Sequence, residues 1–180
     1  MAGDGLRGAD ATSSEGIFAL MINSCTARFV TELESDTDRL GSLLAQCLPD
    51  QTVVGLLGTL GAGKTRLVRA IATACGVDPR DVTSPTFVLC QSYHGTRSLI
   101  HLDAYRLGDL DEFLELGPEE FYETASLTLI EWSDRVDECL PAERIEISIQ
   151  IASEEGRIFE VVGRGERLSS VVRKLSEVSL

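Results

Sequence analysis

The eight residues Gly58-Thr59-Leu60-Gly61-Ala62-Gly63-Lys64-Thr65 (GTLGAGKT) stand between the apolar run TVVGLL (52–57) and a helical pattern, RLVRAIATACG (66–76). They fit G-x-x-x-x-G-K-[ST] at Gly58, Gly63, Lys64 and Thr65. Glycines let the backbone curl so that successive N–H groups face phosphate oxygens. The lysine adds a point charge at the β- and γ-phosphates, and the threonine hydroxyl takes one position on Mg²⁺. Chance yields four such fixed positions in about 1 in 100 chains of this size or fewer. The context adds to this. A strand of the kind buried on both faces of a parallel sheet leads in, and a helix opening at Lys64 sets its N-terminus beneath an anion. The segment from Gly58 to Arg66, with Leu60, Gly61, Ala62 and Gly63 at its curl, reads as the cradle of a nucleoside triphosphate.

Such a loop needs an acidic residue at the end of a buried strand, to hold or order Mg²⁺ and water. LIHLD, ending at Asp103, and LTLIE, ending at Glu131, both qualify, and periodicity does not rank them. His101 lies two residues before Asp103 and so on the same strand face; a structural histidine and a proton shuttle both remain open. Trp132, the chain's only tryptophan, is either a packing residue or a nucleotide contact.

The remaining pattern is α/β with antiparallel additions. ARFVTEL (27–33) alternates as a strand. SDTDRLGSLLAQCL (35–48) follows as a helix with Ser35 or Asp36 as N-cap and Leu40, Leu43, Leu44 and Leu48 on one face. The helix from Lys64 to about Cys75 stops at Gly76, and Pro79 prevents a restart. Ser84-Pro85 opens an extended loop; HGTR (94–97) suits a hairpin turn before the strand SLIHLDAYRL (98–107). A helical stretch broken at Gly117-Pro118 precedes the buried strand SLTLIEW, and SDRVDECL (133–140) reads as a short helix ending at Pro141. RIEISIQIA and RIFEVVGR alternate on either side of SEEG, which predicts a hairpin. GERLSSVVRKLSEV closes the chain as a helix. Residues 1–25, opening MAGDGLRGADATSSEG, read as a disordered extension with Met21 as a candidate start, and 26–180 as a single domain.

Composition limits the function classes. A net charge of −13 argues against autonomous nucleic-acid binding, which needs a basic patch. The five scattered cysteines, with no C-x-x-C pair, suit reduced thiols in the cytoplasm rather than a disulfide or zinc framework. No signal peptide or membrane span is expected. Residues 109–123 (DLDEFLELGPEEFYE) hold seven carboxylates and no Lys or Arg. They form either a solvated helical face or a docking surface for a basic partner.

Taken in order, GTLGAGKT, VTSPTF, HLDAYRL, ELG, LIEW and LP closely resemble the TsaE family over about Arg28 to Ala152. Those proteins are small bacterial P-loop ATPases of threonylcarbamoyladenosine formation in tRNA, working with TsaB and TsaD. The resemblance implies a P-loop NTPase fold with a mainly parallel central sheet and flanking helices, and a weak Mg²⁺-dependent ATPase whose cofactors are ATP and Mg²⁺. It implies phosphate and metal contacts from Lys64 and Thr65, a metal site completed by Glu131, and Asp103 as the residue that orients or activates water. It also implies a switch-type loop from Ser84 to Phe87, with Ser84 and Thr86 sensing the γ-phosphate, and Trp132 beside the nucleotide. Transfer RNA would be reached only through TsaB and TsaD homologues. The chain departs from the pattern at Thr59, usually acidic, and at Arg66, often a second threonine. A small-molecule kinase and a non-hydrolysing nucleotide-binding regulator are the competing readings. A kinase needs an acceptor pocket and usually an Arg-bearing lid, where this chain has a β-hairpin after Glu131.

Overall fold

The structure, a computed structural model, describes residues 24–178. Residues 1–23 of the predicted extension lie outside the described residues. Ser24 and Cys25, placed in that extension by composition, already belong to the first strand. Strand β1 (Ser24–Thr31) starts earlier than ARFVTEL because its full length pairs antiparallel with β7 (Arg157–Arg164), from Ser24 opposite Arg164 to Thr31 opposite Arg157.

Seven strands form one sheet in the order β1-β7-β6-β2-β5-β4-β3. The centre is parallel: β2 (Thr52–Leu57) lies between β6 (Ile145–Ile151) and β5 (Leu127–Glu131), and β5 is flanked by β4 (Ser98–Asp103). Antiparallel additions stand at both edges, the β6–β7 hairpin with β1 at one side and β3 (Cys90–His94) on β4 at the other. This is the expected α/β architecture. All five residues of β5 are buried, as continuous apolar runs in a parallel centre require.

Alternation along the strands divides the core in two. Val54, Leu56, Leu127 and Leu129 face a cluster with α1 (Glu34–Cys47), α2 (Lys64–Ala74) and α5 (Glu166–Leu175). Val53, Leu102 and Ile130 face a second cluster on the other side, in which Phe113 of α3 (Leu110–Glu115) is fully buried and against which Phe121 of α4 (Pro118–Thr124) packs. The predicted apolar stripe of α1 holds at Leu40, Leu44 and Leu48, which are buried, whereas Leu43 is only partly covered. Among the described residues no helix is long and apolar enough to cross a membrane.

Three local expectations change. The N-cap of α1 is Leu33, not Ser35 or Asp36; Asp36 acts from inside the first turn, accepting the N–H groups of Glu32 and Leu33 at 3.1 and 3.0 Å. The strand SLIHLDAYRL ends at Asp103, because its carboxylate accepts the Tyr105 N–H at 2.9 Å and bends Ala104–Arg106 into a 3₁₀ turn. SDRVDECL forms two 3₁₀ turns, Ser133–Arg135 and Asp137–Cys139, rather than one helix. Val136, at φ −128° and ψ 20°, stands between them and interrupts a continuous helix.

Helix α2, whose first turn carries Lys64 and Thr65, is held in place by α1. Gly41 makes this possible: a Cβ there would lie 2.9 Å from the Ala70 backbone carbon. Gly41→Val should lower stability by about 1–3 kcal/mol through overpacking. Urea denaturation measures this, and an unchanged midpoint would refute the close helix contact.

Candidate nucleotide-binding site

The loop from Gly58 to Gly63 leaves the end of β2, where only glycine suits the backbone at two positions. Gly58 has φ +146° and a Cβ on it would sit 2.7 Å from the Ile149 carbonyl oxygen; Gly63 has φ +109° and caps α2. Ala62 N–H donates to the Thr59 carbonyl at 3.1 Å, which closes the curl. Lys64 is buried and folds back over the loop, its Nζ donating to the Gly58 and Thr59 carbonyls at 2.7 and 3.0 Å. Burial pushes the Lys64 ammonium below the usual lysine range, opposed by the negative charges of Glu131, Asp103 and Asp134.

The two strand-end carboxylates that periodicity could not rank stand directly opposite one another, Asp103 of β4 beside Glu131 of β5. Their partners distinguish them. Glu131 Oε1 accepts the Thr65 hydroxyl at 2.7 Å and lies 2.9 Å from His101 Nε2. Asp103 Oδ2 accepts hydroxyls from the 84–87 loop, Ser84 at 3.0 Å and Thr86 at 2.5 Å, and these two hydroxyls are 2.7 Å apart. Glu131 therefore belongs to the phosphate loop and Asp103 to the loop at Ser84 and Thr86.

These groups border a single cleft of about 430 Å³ at the C-terminal ends of the parallel strands. Leu60, Gly61, Gly63, Lys64 and Thr65 line one side, and Ser84, Thr86, Asp103, Glu131 and Trp132 the other. Gly58 and Ala62 stand behind the loop and shape it. Arg66 borders the cleft, but its guanidinium is engaged on α1 by Glu34 at 2.7 Å and Asp38 at 2.9 Å. Trp132 packs against the second core cluster and also borders the cleft, where Lys64 Nζ lies 3.6 Å from its ring centroid.

One contributor escaped the sequence reading, and a second has a partner that the reading did not name. Tyr105 lines the cleft and its ring sits 4.9 Å from that of Trp132. His101, fully buried, touches Glu131 rather than its neighbour Asp103. The spacing H-x-D had placed it on the right face, but the partner depends on strand order, which spacing does not supply.

Thr65 and Glu131 offer two hard oxygens side by side, the donor chemistry Mg²⁺ takes. Among the described residues there is no cluster of three or more His, Cys, Asp or Glu suited to a metal. That donor set fits an ion held by one or two side chains with phosphate and water.

The family model described as "Threonylcarbamoyl adenosine biosynthesis protein TsaE" matches residues 31–159, which include every group named in the cleft. The chain belongs to the TsaE family. Among similar proteins, the tRNA threonylcarbamoyladenosine biosynthesis protein TsaE of Treponema pallidum is 37% identical over 134 residues, 74% of this chain and 98% of that protein. The same-named protein of Aquifex aeolicus is 39% identical over 132 residues, covering 71% of this chain and 90% of its own. The crystal structure of YdiB from Bacillus subtilis superposes with a TM-score of 0.71 at 27% identity, over 86% of this chain and 96% of that one. The P-loop fold expected from GTLGAGKT is thus the fold of this TsaE family member.

The Lys64–Trp132 contact gives a direct optical test, because Trp132 is the chain's only tryptophan. Removing the cation in Lys64→Ala should alter the emission spectrum before any nucleotide is added, and adding ATP with Mg²⁺ should alter that of the unmodified protein. Spectra that coincide in both comparisons would place Trp132 outside the site.

Proposed function

We propose that this TsaE family member binds ATP with Mg²⁺ and hydrolyses it slowly in the cytoplasm, in support of threonylcarbamoyladenosine formation in tRNA. It acts together with TsaB and TsaD homologues. The observation that carries this reading is the 2.7 Å contact between Thr65 of the phosphate loop and Glu131 of β5, with Asp103 next to Glu131 in register. It joins loop, metal-type oxygens and a second carboxylate in one cleft.

In this reading the backbone N–H groups of the loop and the Lys64 ammonium receive the phosphates. Thr65 and Glu131 would hold Mg²⁺, which supplies charge neutralisation at the β- and γ-phosphate oxygens when bound. His101 keeps Glu131 oriented. Asp103 orients the water that attacks the γ-phosphate and accepts its proton, giving ADP and phosphate. Its Oδ2 is occupied by Ser84 and Thr86 hydroxyls, so the 84–87 loop must shift before that oxygen is free for water. Phe87 of that loop and Val88 just after it are 82% and 62% exposed, and Leu60 stands 79% exposed on the phosphate loop. These apolar side chains beside the cleft support a partner whose docking moves the loop. Slow turnover alone and faster turnover in the assembly follow from the same contact.

The division of roles predicts different phenotypes. Lys64→Ala should abolish tight triphosphate binding. Glu131→Ala should raise the Mg²⁺ concentration needed for turnover. Asp103→Asn should retain ATP affinity while turnover falls by about 10²–10⁴-fold. Fluorescent-nucleotide titration and phosphate release across a Mg²⁺ series measure all three. Equal loss of affinity and equal Mg²⁺ dependence in the two carboxylate variants would refute the assignment. Reconstitution with TsaB and TsaD tests the larger reading: tRNA modification that proceeds fully without this protein would overturn it.

A further inference from the structure

The phosphate loop is held from its other side as well, by the β6–β7 hairpin. Arg157, the first residue of β7, has its backbone fixed by Thr31 of β1: its N–H donates to the Thr31 hydroxyl at 3.1 Å, and that hydroxyl lies 3.3 Å from the Arg157 carbonyl. The guanidinium then reaches two places. Nη1 donates to the carbonyls of Ser153, Glu154 and Gly156 at 3.1, 3.2 and 2.9 Å, closing the hairpin turn. Nε donates to the carbonyl of Ala62, inside the phosphate loop, at 2.9 Å.

The second contact has a stereochemical consequence. A trans peptide is planar, so its carbonyl and the following N–H point in opposite directions. Drawing the Ala62 carbonyl toward β7 turns the Gly63 N–H the opposite way, and Gly63 lines the cleft. Ala62 itself is fully buried, so its peptide has no water to compete for that carbonyl. The loop's other end meets the same hairpin, where Gly58 passes close to the Ile149 carbonyl of β6.

Resting on the nucleotide-binding reading above, we propose that Arg157 is a positioning residue of the phosphate site: by holding the Ala62 carbonyl it aims the Gly63 N–H at the bound phosphates. It makes the hairpin a buttress of the loop and not only an edge of the sheet. The effect acts on phosphates shared by ADP and ATP and leaves the Thr65–Glu131 pair untouched.

The test is titration of fluorescent ADP and ATP analogues into the full chain, with thermal midpoints measured in parallel. Arg157→Gln should weaken both nucleotides alike, by about 10- to 100-fold, the value of a hydrogen bond from a charged donor. Its Mg²⁺ dependence should not change. Arg157→Lys should recover part of the loss, since an ammonium can still donate to Ala62, and it serves as the second variant if the glutamine protein does not fold. Ser153→Gly removes the turn hydrogen bond to the Gly156 N–H without touching Ala62 and should leave affinity unaltered. Unchanged affinity in both Arg157 variants would overturn the proposal. So would a loss confined to ATP, which would mean contact with the γ-phosphate, or an equal loss in Ser153→Gly, which would mean hairpin integrity alone matters. If the unmodified protein bound neither nucleotide, the phosphate-site reading would fail, and this inference with it.

Discussion

One carboxylate oxygen, Oε1 of Glu131, ties the phosphate loop to the sheet. It sits at the end of a strand that is buried throughout, and Glu131 is itself buried. A carboxylate placed there is costly unless its oxygens find donors. The Thr65 hydroxyl comes from the first turn of α2 and the His101 imidazole from β4, so satisfying Glu131 fixes both elements against β5. Local sequence makes a glycine loop that could adopt many curls; this contact selects one. Gly41 allows the selection, because α1 must come close to α2 without pushing its first turn off Glu131.

The sheet order then gives the loop two different neighbours. On the β5 and β4 side lie oxygens and hydroxyls able to act on phosphate or water. On the β6 and β7 side lie a carbonyl against Gly58 and a guanidinium on Ala62, both engaged with the loop's backbone. Chemistry and support are thereby separated on opposite flanks of β2. For the hydrolysis proposed above, the separation would suit electrostatic catalysis, where groups aimed before the reaction need not reorganise during it. It also accounts for the burial of Lys64: a desolvated ammonium costs less where carbonyls at 2.7 and 3.0 Å and nearby carboxylates already receive it.

Much of this was legible in the sequence because its signals are local. Continuous apolar runs gave β2 and β5, alternation gave the β6–β7 hairpin, and glycine with lysine and threonine at fixed spacing placed the loop. Gly117-Pro118 marked a real break, with Gly117 at φ +69° between α3 and α4. What stayed hidden depends on strand order. Asp103 and Glu131 look alike in one dimension, and only their adjacency, with Thr65 arriving at one and Ser84 and Thr86 at the other, separates them. Arg157 was hidden for the same reason: it lies 95 residues from the carbonyl it holds. The 3₁₀ turn at Ala104–Arg106 escaped because a side chain, Asp103, rather than a backbone pattern, bends the chain at Tyr105.

The commitments of most arginines bear on why the phosphate site proposed above need not make this an RNA-binding protein. Among the described residues, Arg39, Arg66, Arg80, Arg97, Arg144, Arg164 and Arg167 are each ion-paired with an aspartate or glutamate. Arg69 and Arg135 are bonded to backbone carbonyls, and Arg106 lies over the Phe87 ring at 4.2 Å. A cation committed to an internal acceptor contributes little to a field that must displace counterions from a nucleic-acid backbone. With a net charge of −13, the summed field repels that backbone. A nucleotide bound as proposed above would escape this constraint, because its phosphates would enter a cleft where backbone N–H groups, a helix N-terminus and Lys64 converge at short range. Attraction over a few ångströms can prevail there while the long-range field remains negative. Under the function proposed above, selectivity for a small phosphate ligand over a polyanion would follow from where the positive groups are held, and contact with tRNA would fall to partners.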